Sequence, residues 1–383
     1  MSESGATLTA TFQGIRPYPA PQSAGFRIGT TSGNWTSTVY TTDLLNSANG
    51  SFSAELTGLT EGTKYYYQAF MEVWDGESSY VTIESSIGSF TTSSASQTTS
   101  QGYLSCYEVP EVTVSGNMAS GNEASNRGYK WYRFRTTDSN RAVATHTYKE
   151  TTSGPQIRNY TVLLDGSKKT PVWTAHAMHA SMWADNNVGR NDGWTSDPAF
   201  TGLGDWQQEN STDGYGKGHL VASNYRQTTV AQNKQTFYLS NQAAQWQTGF
   251  NDGIWNTLEQ KVANNIPSGR DTLYVVSGVL YEGTTQNNSG VQIPSHFYKC
   301  LLKCSFNTSG EMIDAKGCAY LFKNPSSKNE CDNLYDGHDY SEFITTIKAV
   351  EDRAGFTFFP KAVKNTTYNG RSVVVKETAI TPW

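Results

Sequence analysis

Residues 214–223 read "GYGKGHLVAS". The stretch holds one histidine, His219, with Lys217 two residues before it and glycines at 216 and 218. Glycine costs backbone entropy, so it is retained where the chain turns sharply or where another group approaches closely. Histidine is the side chain best suited to moving a proton near neutral pH. A cation beside it points to an anion as the approaching group.

Downstream, "TFYLSN" (236–241) is strand-like and ends in Asn241. "GFNDGIWNTLEQKVANN" then places Phe250, Ile254, Leu258 and Val262 on one helical face. The order predicted is strand, strand, helix, with His219 on the first strand and Asn251 and Glu259 on the helix. On an unbroken helix those two residues stand about 80° apart and ~12 Å apart along the axis. Helical side chains lean toward the N-terminus, which shortens the gap. They still cannot easily hold one small cation together, so a direct contact from Asn251 leaves Glu259 acting through a bound water.

Net charge over the 383 residues is −5, which argues against a protein that coats nucleic acid with a basic surface. Chemistry on a polyanion must then rest on a local cationic site, with or without a metal ion. No stretch approaches the ~20 apolar residues needed to span a bilayer. The start, "MSESGATLTATF", lacks the basic and apolar regions of a signal peptide. Abundant Thr, Ser, Asn, Gly and Tyr with only 16% charged residues lean extracytoplasmic, so the expectation is a secreted, periplasmic or cell-surface protein whose leader is missing from this sequence. Five cysteines leave at least one outside any intramolecular pair. Cys300 and Cys304 lie about 13 Å apart along one strand and cannot bond, whereas Cys304 and Cys318 could meet across a hairpin. No CxxC pair marks a structural zinc site.

The segments "GKGHLVAS", "TFYLSNQAAQ" and "GFNDGIWNTLE" together resemble the DNA/RNA non-specific endonuclease family, of the ββα-metal (His-Me finger) group. "GRNDGWTSDPAF" (189–200), "YVVSGVLYEG" and "IPSHFYK" extend the resemblance over roughly 103–383. It implies an α+β nuclease domain and a metal-dependent, sugar-non-specific endonuclease that leaves 5′-phosphate ends on DNA and RNA. By the same resemblance His219 is the general base and Asn251 the direct protein ligand of Mg2+, or of Mn2+ or Ca2+ in its place. Glu259 orients the ion's waters, Asn241 positions His219 or the phosphate, and Arg190 and Lys217 bind phosphate oxygens. Mg2+ keeps several waters and prefers oxygen ligands, which suits a single amide. Two positions depart from the family's D-R-G-H motif: its arginine is Lys217 here, a point charge in place of a bidentate fork, and its aspartate is Gly216. Arg226 in "SNYRQ" is a further candidate for phosphate. His176 and His179, three apart on a strand, point to opposite faces and are taken as structural.

Residues 5–92 carry short alternating strands broken by turn signals, the pattern of an all-β sandwich. "LTGLTEGTKYYYQAF" resembles the fibronectin type III pattern, with Leu59, Thr63 and Tyr65 in the places that precede and form a tyrosine corner. "TTSSASQTTSQG" is a polar linker, counted as 93–102, ahead of a domain over 103–383. "SEFITTIKAVEDRAG" has helical spacing through Phe343, Ile347 and Val350, stopping at Gly355. Nucleic acid is the expected substrate, and a glycan or protein is the expected partner of the sandwich. Two other functions fit the departures: a surface adhesion protein with a degenerate nuclease domain, and a hydrolase of smaller phosphodiesters.

Overall fold

The computed structural model describes residues 5–15, 19–41, 48–57, 59–60, 63–91, 103–123, 129–182, 188–210, 214–283, 290–361, 365–368 and 371–381. The linker expected at 93–102 lies outside them. The chain forms two compact units, Met1–Gly102 and Tyr103–Trp383.

In the first unit β1 (Gly5–Phe12) pairs antiparallel with β4 (Gly50–Thr57). A second sheet runs β3 (Ser37–Tyr40), β2 (Ser23–Gly29), β5 (Lys64–Trp74), β6 (Tyr80–Glu84), with β7 (Gly88–Thr91) also on β5. Alternating residues of both sheets share one core: Leu8, Phe52 and Leu56 from the first meet Phe26, Ile28, Tyr65 and Met71 from the second. The Tyr65 hydroxyl accepts a hydrogen bond from the Thr60 amide at 2.9 Å. Every residue of strand β6 is exposed.

The second unit is built on one nine-stranded antiparallel sheet. Its strands are β8 (Val114–Asn122), β9 (Lys130–Thr136), β10 (Arg141–Tyr148), β11 (Ile157–Asp165) and β12 (Thr170–Met178), followed by β15 (Asp271–Leu280), β16 (His296–Phe306), β17 (Met312–Lys323) and the short β18 (Ile344–Thr345). Strands β13 (Tyr215–His219) and β14 (Gln242–Trp246) form a separate hairpin-like pair. Both faces of the central strands are covered, which is why "TLYVVSGVL" reads as continuous apolar sequence. Tyr274, Val276 and Leu280 face one core with Val350, Phe358 and Phe359. Leu273, Val275 and Val279 face the other, with Leu220, Phe250, Trp255 and Leu258. That second face seats the site.

Four expectations are corrected. Residues 236–241 are not a strand: Leu239–Asn241 is a 3-10 turn, and the strand begins one residue later at Gln242. The helix expected to carry both Asn251 and Glu259 is interrupted. Thr248, Gly249 (φ 85°) and Gly253 (φ −102°, ψ −109°) leave helical geometry, and the regular α-helix is Asn256–Ala263. Cys304 stands opposite Ala315 and Cys318 opposite Leu301, so the register keeps those thiols apart; no cysteine is in a disulfide. The last helix starts at Ile347, capped by the Thr346 hydroxyl, with Phe343 left in a preceding 3-10 turn; Gly355 ends it in the left-handed conformation, as expected.

Candidate active site

Strand β13 presents the histidine, and its glycines explain how. A Cβ at Gly218 would overlap the Gln245 side chain, and one at Gly216 would overlap Gln247. The group that approaches closely is therefore the partner segment, whose glutamines fold across the strand. The His219 ring sits between Trp194 (centroids 4.6 Å) and Phe237 (4.9 Å, edge-on). The residue is half-exposed, yet its Nε2 is sealed from solvent and has no hydrogen-bond partner. Burial and then the Arg190 guanidinium hold its pKa down at about 3, so the imidazole is neutral across the physiological range.

The ring opens on a cavity of about 640 Å³ lined by Arg190, Trp194, Lys217, Asn224, Asn251 and Glu259 among others. Arg190 lies over the Phe237 ring at 4.9 Å and pairs with Asp192 at 2.6 Å. Lys217 pairs with Glu209. Both pairs are exposed enough that exchanging a carboxylate for an incoming phosphate costs little.

Five of the six expected site residues line this one cavity: His219, Asn251, Glu259, Arg190 and Lys217. Asn241 does not. Its side chain is buried, with Oδ1 accepting from the Val221 amide (2.9 Å) and Nδ2 donating to the Val221 and Thr236 carbonyls (3.0 and 2.8 Å). It pins the chain just after His219 and touches neither ring nor cavity. Arg226 also fails as a phosphate contact: it is 2% exposed and spends its donors on the carbonyls of Asn159, Tyr225 and Ala177. His176 is buried with its pKa held well below the ordinary value, by burial first and then by Arg226 and Lys299. His179 is half-buried just beyond the end of β12, its ring bonded to the Ser181 hydroxyl.

The sequence reading missed the floor of the site. Lys299, on β16, is fully buried beneath the helix Asn256–Ala263. Its ammonium stands 3.6 Å from Glu259 Oε1, 2.9 Å from Ser277 Oγ and 4.5 Å from the Trp255 ring centroid. Burial raises the Glu259 pKa while Lys299 opposes the rise; burial likewise lowers that of Lys299 against the pull of Glu259. A lysine inside "HFYKCLLKCSF" was the available signal, since a charge in an apolar run must find a counter-charge. Lys299→Met should cost about 3–5 kcal/mol by stranding a buried carboxylate. Adding Glu259→Gln should recover most of that loss, and two equally unstable variants in urea unfolding would refute the coupling.

A second missed cluster holds the segment that carries Arg190 and Trp194. His146, fully buried on β10, lies 2.8 Å from Glu123 Oε1 and 3.0 Å from Asp197 Oδ2. Asp197 also accepts from the Ala199 amide and the Ser240 hydroxyl, while Gln235 and Tyr238 donate to Glu123 at 2.6 and 3.0 Å.

The donor set fits a hard cation. Asn251 Nδ2 donates to Gln247 Oε1 at 3.0 Å, which leaves Oδ1 as the uncommitted end of the amide. Asn224 lines the same cavity with its Oδ1 lacking a hydrogen bond, and Glu259 lines it while its Oε1 faces Lys299. Among the described residues no group of three or more His, Cys, Asp or Glu could enclose a metal. Few oxygen ligands with room for water suit a hard cation that keeps part of its hydration shell.

A neutral histidine, an amide oxygen, a carboxylate and two cations thus gather around one cavity. The family model for DNA/RNA non-specific endonuclease matches residues 139–365, and the chain belongs to that family. It is 30% identical over 164 residues to mitochondrial endonuclease G of Caenorhabditis elegans, covering 39% of this chain and 48% of that protein. It is 27% identical over 162 residues to nuclease C1 of Cunninghamella echinulata var. echinulata, covering 39% and 59%. The chain thus spans about half the length of the curated relatives it matches. A solved structure described as the EndoG/EndoGI complex is 25% identical, with a TM-score of 0.42 over 52% of this chain and 82% of that one.

Proposed function

We propose that the second unit is a metal-dependent endonuclease that hydrolyses phosphodiester bonds of DNA and RNA and leaves 5′-phosphate ends. The observation that carries this reading is the convergence of His219, Asn251, Glu259, Arg190 and Lys217 on one cavity. Arg190 and Lys217 exchange their exposed carboxylates for phosphate oxygens and set the substrate against the histidine. His219 takes the proton of the attacking water. Because Nε2 is sealed, the accepting atom is Nδ1. A neutral ring is a prerequisite, and the depressed pKa supplies it. Asn251 would hold Mg2+ through Oδ1, with Glu259 reaching it through water; when bound, the ion would neutralise charge that builds on the phosphate oxygens. Asn241 acts at one remove by fixing the strand end behind His219. Backbone contacts carry no sequence information, so base preference should be slight.

The N-terminal unit is read as a fibronectin type III-like module over 5–92, joined through 93–102 to a ββα-metal nuclease domain over 103–383. The bond from the Thr60 amide to the Tyr65 hydroxyl supports it. Such a module would space the enzyme from a bacterial surface or bind a glycan or protein there.

Incubating supercoiled plasmid with the protein, with Mg2+ or with EDTA, tests the activity. Nicking in Mg2+ that stops in EDTA is expected. Intact plasmid from folded protein in both would favour an adhesion role. Cleavage of bis-nitrophenyl phosphate alone would favour a smaller substrate.

A further inference from the structure

Asn251 occupies a segment whose backbone does not fix it, between Gly249 and Gly253 and outside regular helix. An asparagine amide there can turn either end to the cavity, and only the oxygen suits a cation. We propose that Gln247 is the positioning residue that holds the Asn251 amide at the cavity, and that Gly216 is kept as glycine to make room for it. The inference rests on the reading of Asn251 as the cation's protein ligand.

Three observations support it. Gln247 Oε1 accepts from Asn251 Nδ2 at 3.0 Å, which commits the NH2 end and leaves Oδ1 available. A Cβ on Gly216 would overlap Gln247 Oε1 and stand 3.3 Å from Asn251 Nδ2, so the acceptor fills the place a side chain at 216 would take. Both residues line the cavity with Asn251, and Gln247 is otherwise exposed, with no packing role to explain its placement. The resembled motif carries a carboxylate where Gly216 stands.

The test is Mn2+ binding to the full chain without nucleic acid, read from the spin-resonance signal of the free ion. Gln247→Glu keeps an acceptor and should bind Mn2+ like the wild type. Gln247→Met keeps the length without the acceptor and should bind about 10–100-fold more weakly, the usual cost of losing a group that orients a ligand. Gly216→Ala displaces Gln247 and should match Gln247→Met. Gly216→Asp/Gln247→Ala returns an acceptor from the other side and should recover binding. Because Gln247 is exposed, its variants should keep the wild-type circular dichroism. Wild-type Mn2+ affinity in Gln247→Met, alongside loss in Asn251→Ala, overturns the role of Gln247 and leaves the metal site standing. Wild-type affinity in Asn251→Ala overturns the metal-site reading and this inference together.

Discussion

His219→Ala should cut plasmid nicking by about 10³-fold, within the range that a positioned proton acceptor contributes, while the melting temperature changes little. The ring is half-exposed and its Nε2 has no hydrogen-bond partner, so its removal strands no buried partner. The loss to stability is confined to contacts with Trp194 and Phe237, each aromatic pair being worth about 0.5–1.5 kcal/mol. Near-wild-type nicking by the variant would remove His219 from the role of base. The pH profile adds a second reading. With the free ring neutral above about pH 3, acid should weaken cleavage only well below the ordinary histidine range of 6.5.

His146→Gln should be the most damaging substitution away from the cavity, costing about 3–5 kcal/mol because it leaves two buried carboxylates without their cation. Burial alone would depress the His146 pKa, but Asp197 and then Glu123 reverse this and raise it from 6.5 to about 10. The folded chain thus holds a proton that the unfolded chain releases near pH 6.5. The stabilisation is fully present below pH 6.5 and fades as the pH rises through about 10. Urea unfolding of the wild type should show this alkaline loss, and the variant should lack it. His219 contributes with the opposite sign, since its depressed pKa makes acid the destabilising direction. An unchanged alkaline slope in His146→Gln would show that the cluster does not hold the proton.

Much of the site was legible because its residues are close in sequence to strong local signals. Gly216 and Gly218 just before His219 announced a close approach, and the apolar spacing of Ile254, Leu258 and Val262 announced a helix packed on the sheet. The same spacing misled at Asn251, because Gly249 and Gly253 break the helix without disturbing the apolar pattern. Asn241 stands behind His219 and not in the cavity, and Arg226 is no phosphate contact, for a shared reason. Polar residues near a site look alike in sequence whether they meet substrate or satisfy buried backbone, and here both satisfy backbone.

The chain by itself determined the strand-rich first unit and the central strands of the second, since alternation is a local consequence of backbone sterics. Only the tertiary structure decided which partners the buried charges take. Lys299 meets Glu259 across forty positions of chain, and His146 meets Asp197 across fifty-one, by subtraction of their numbers. A charge removed from water requires a counter-charge, but which one it meets depends on how the sheet brings distant strands together.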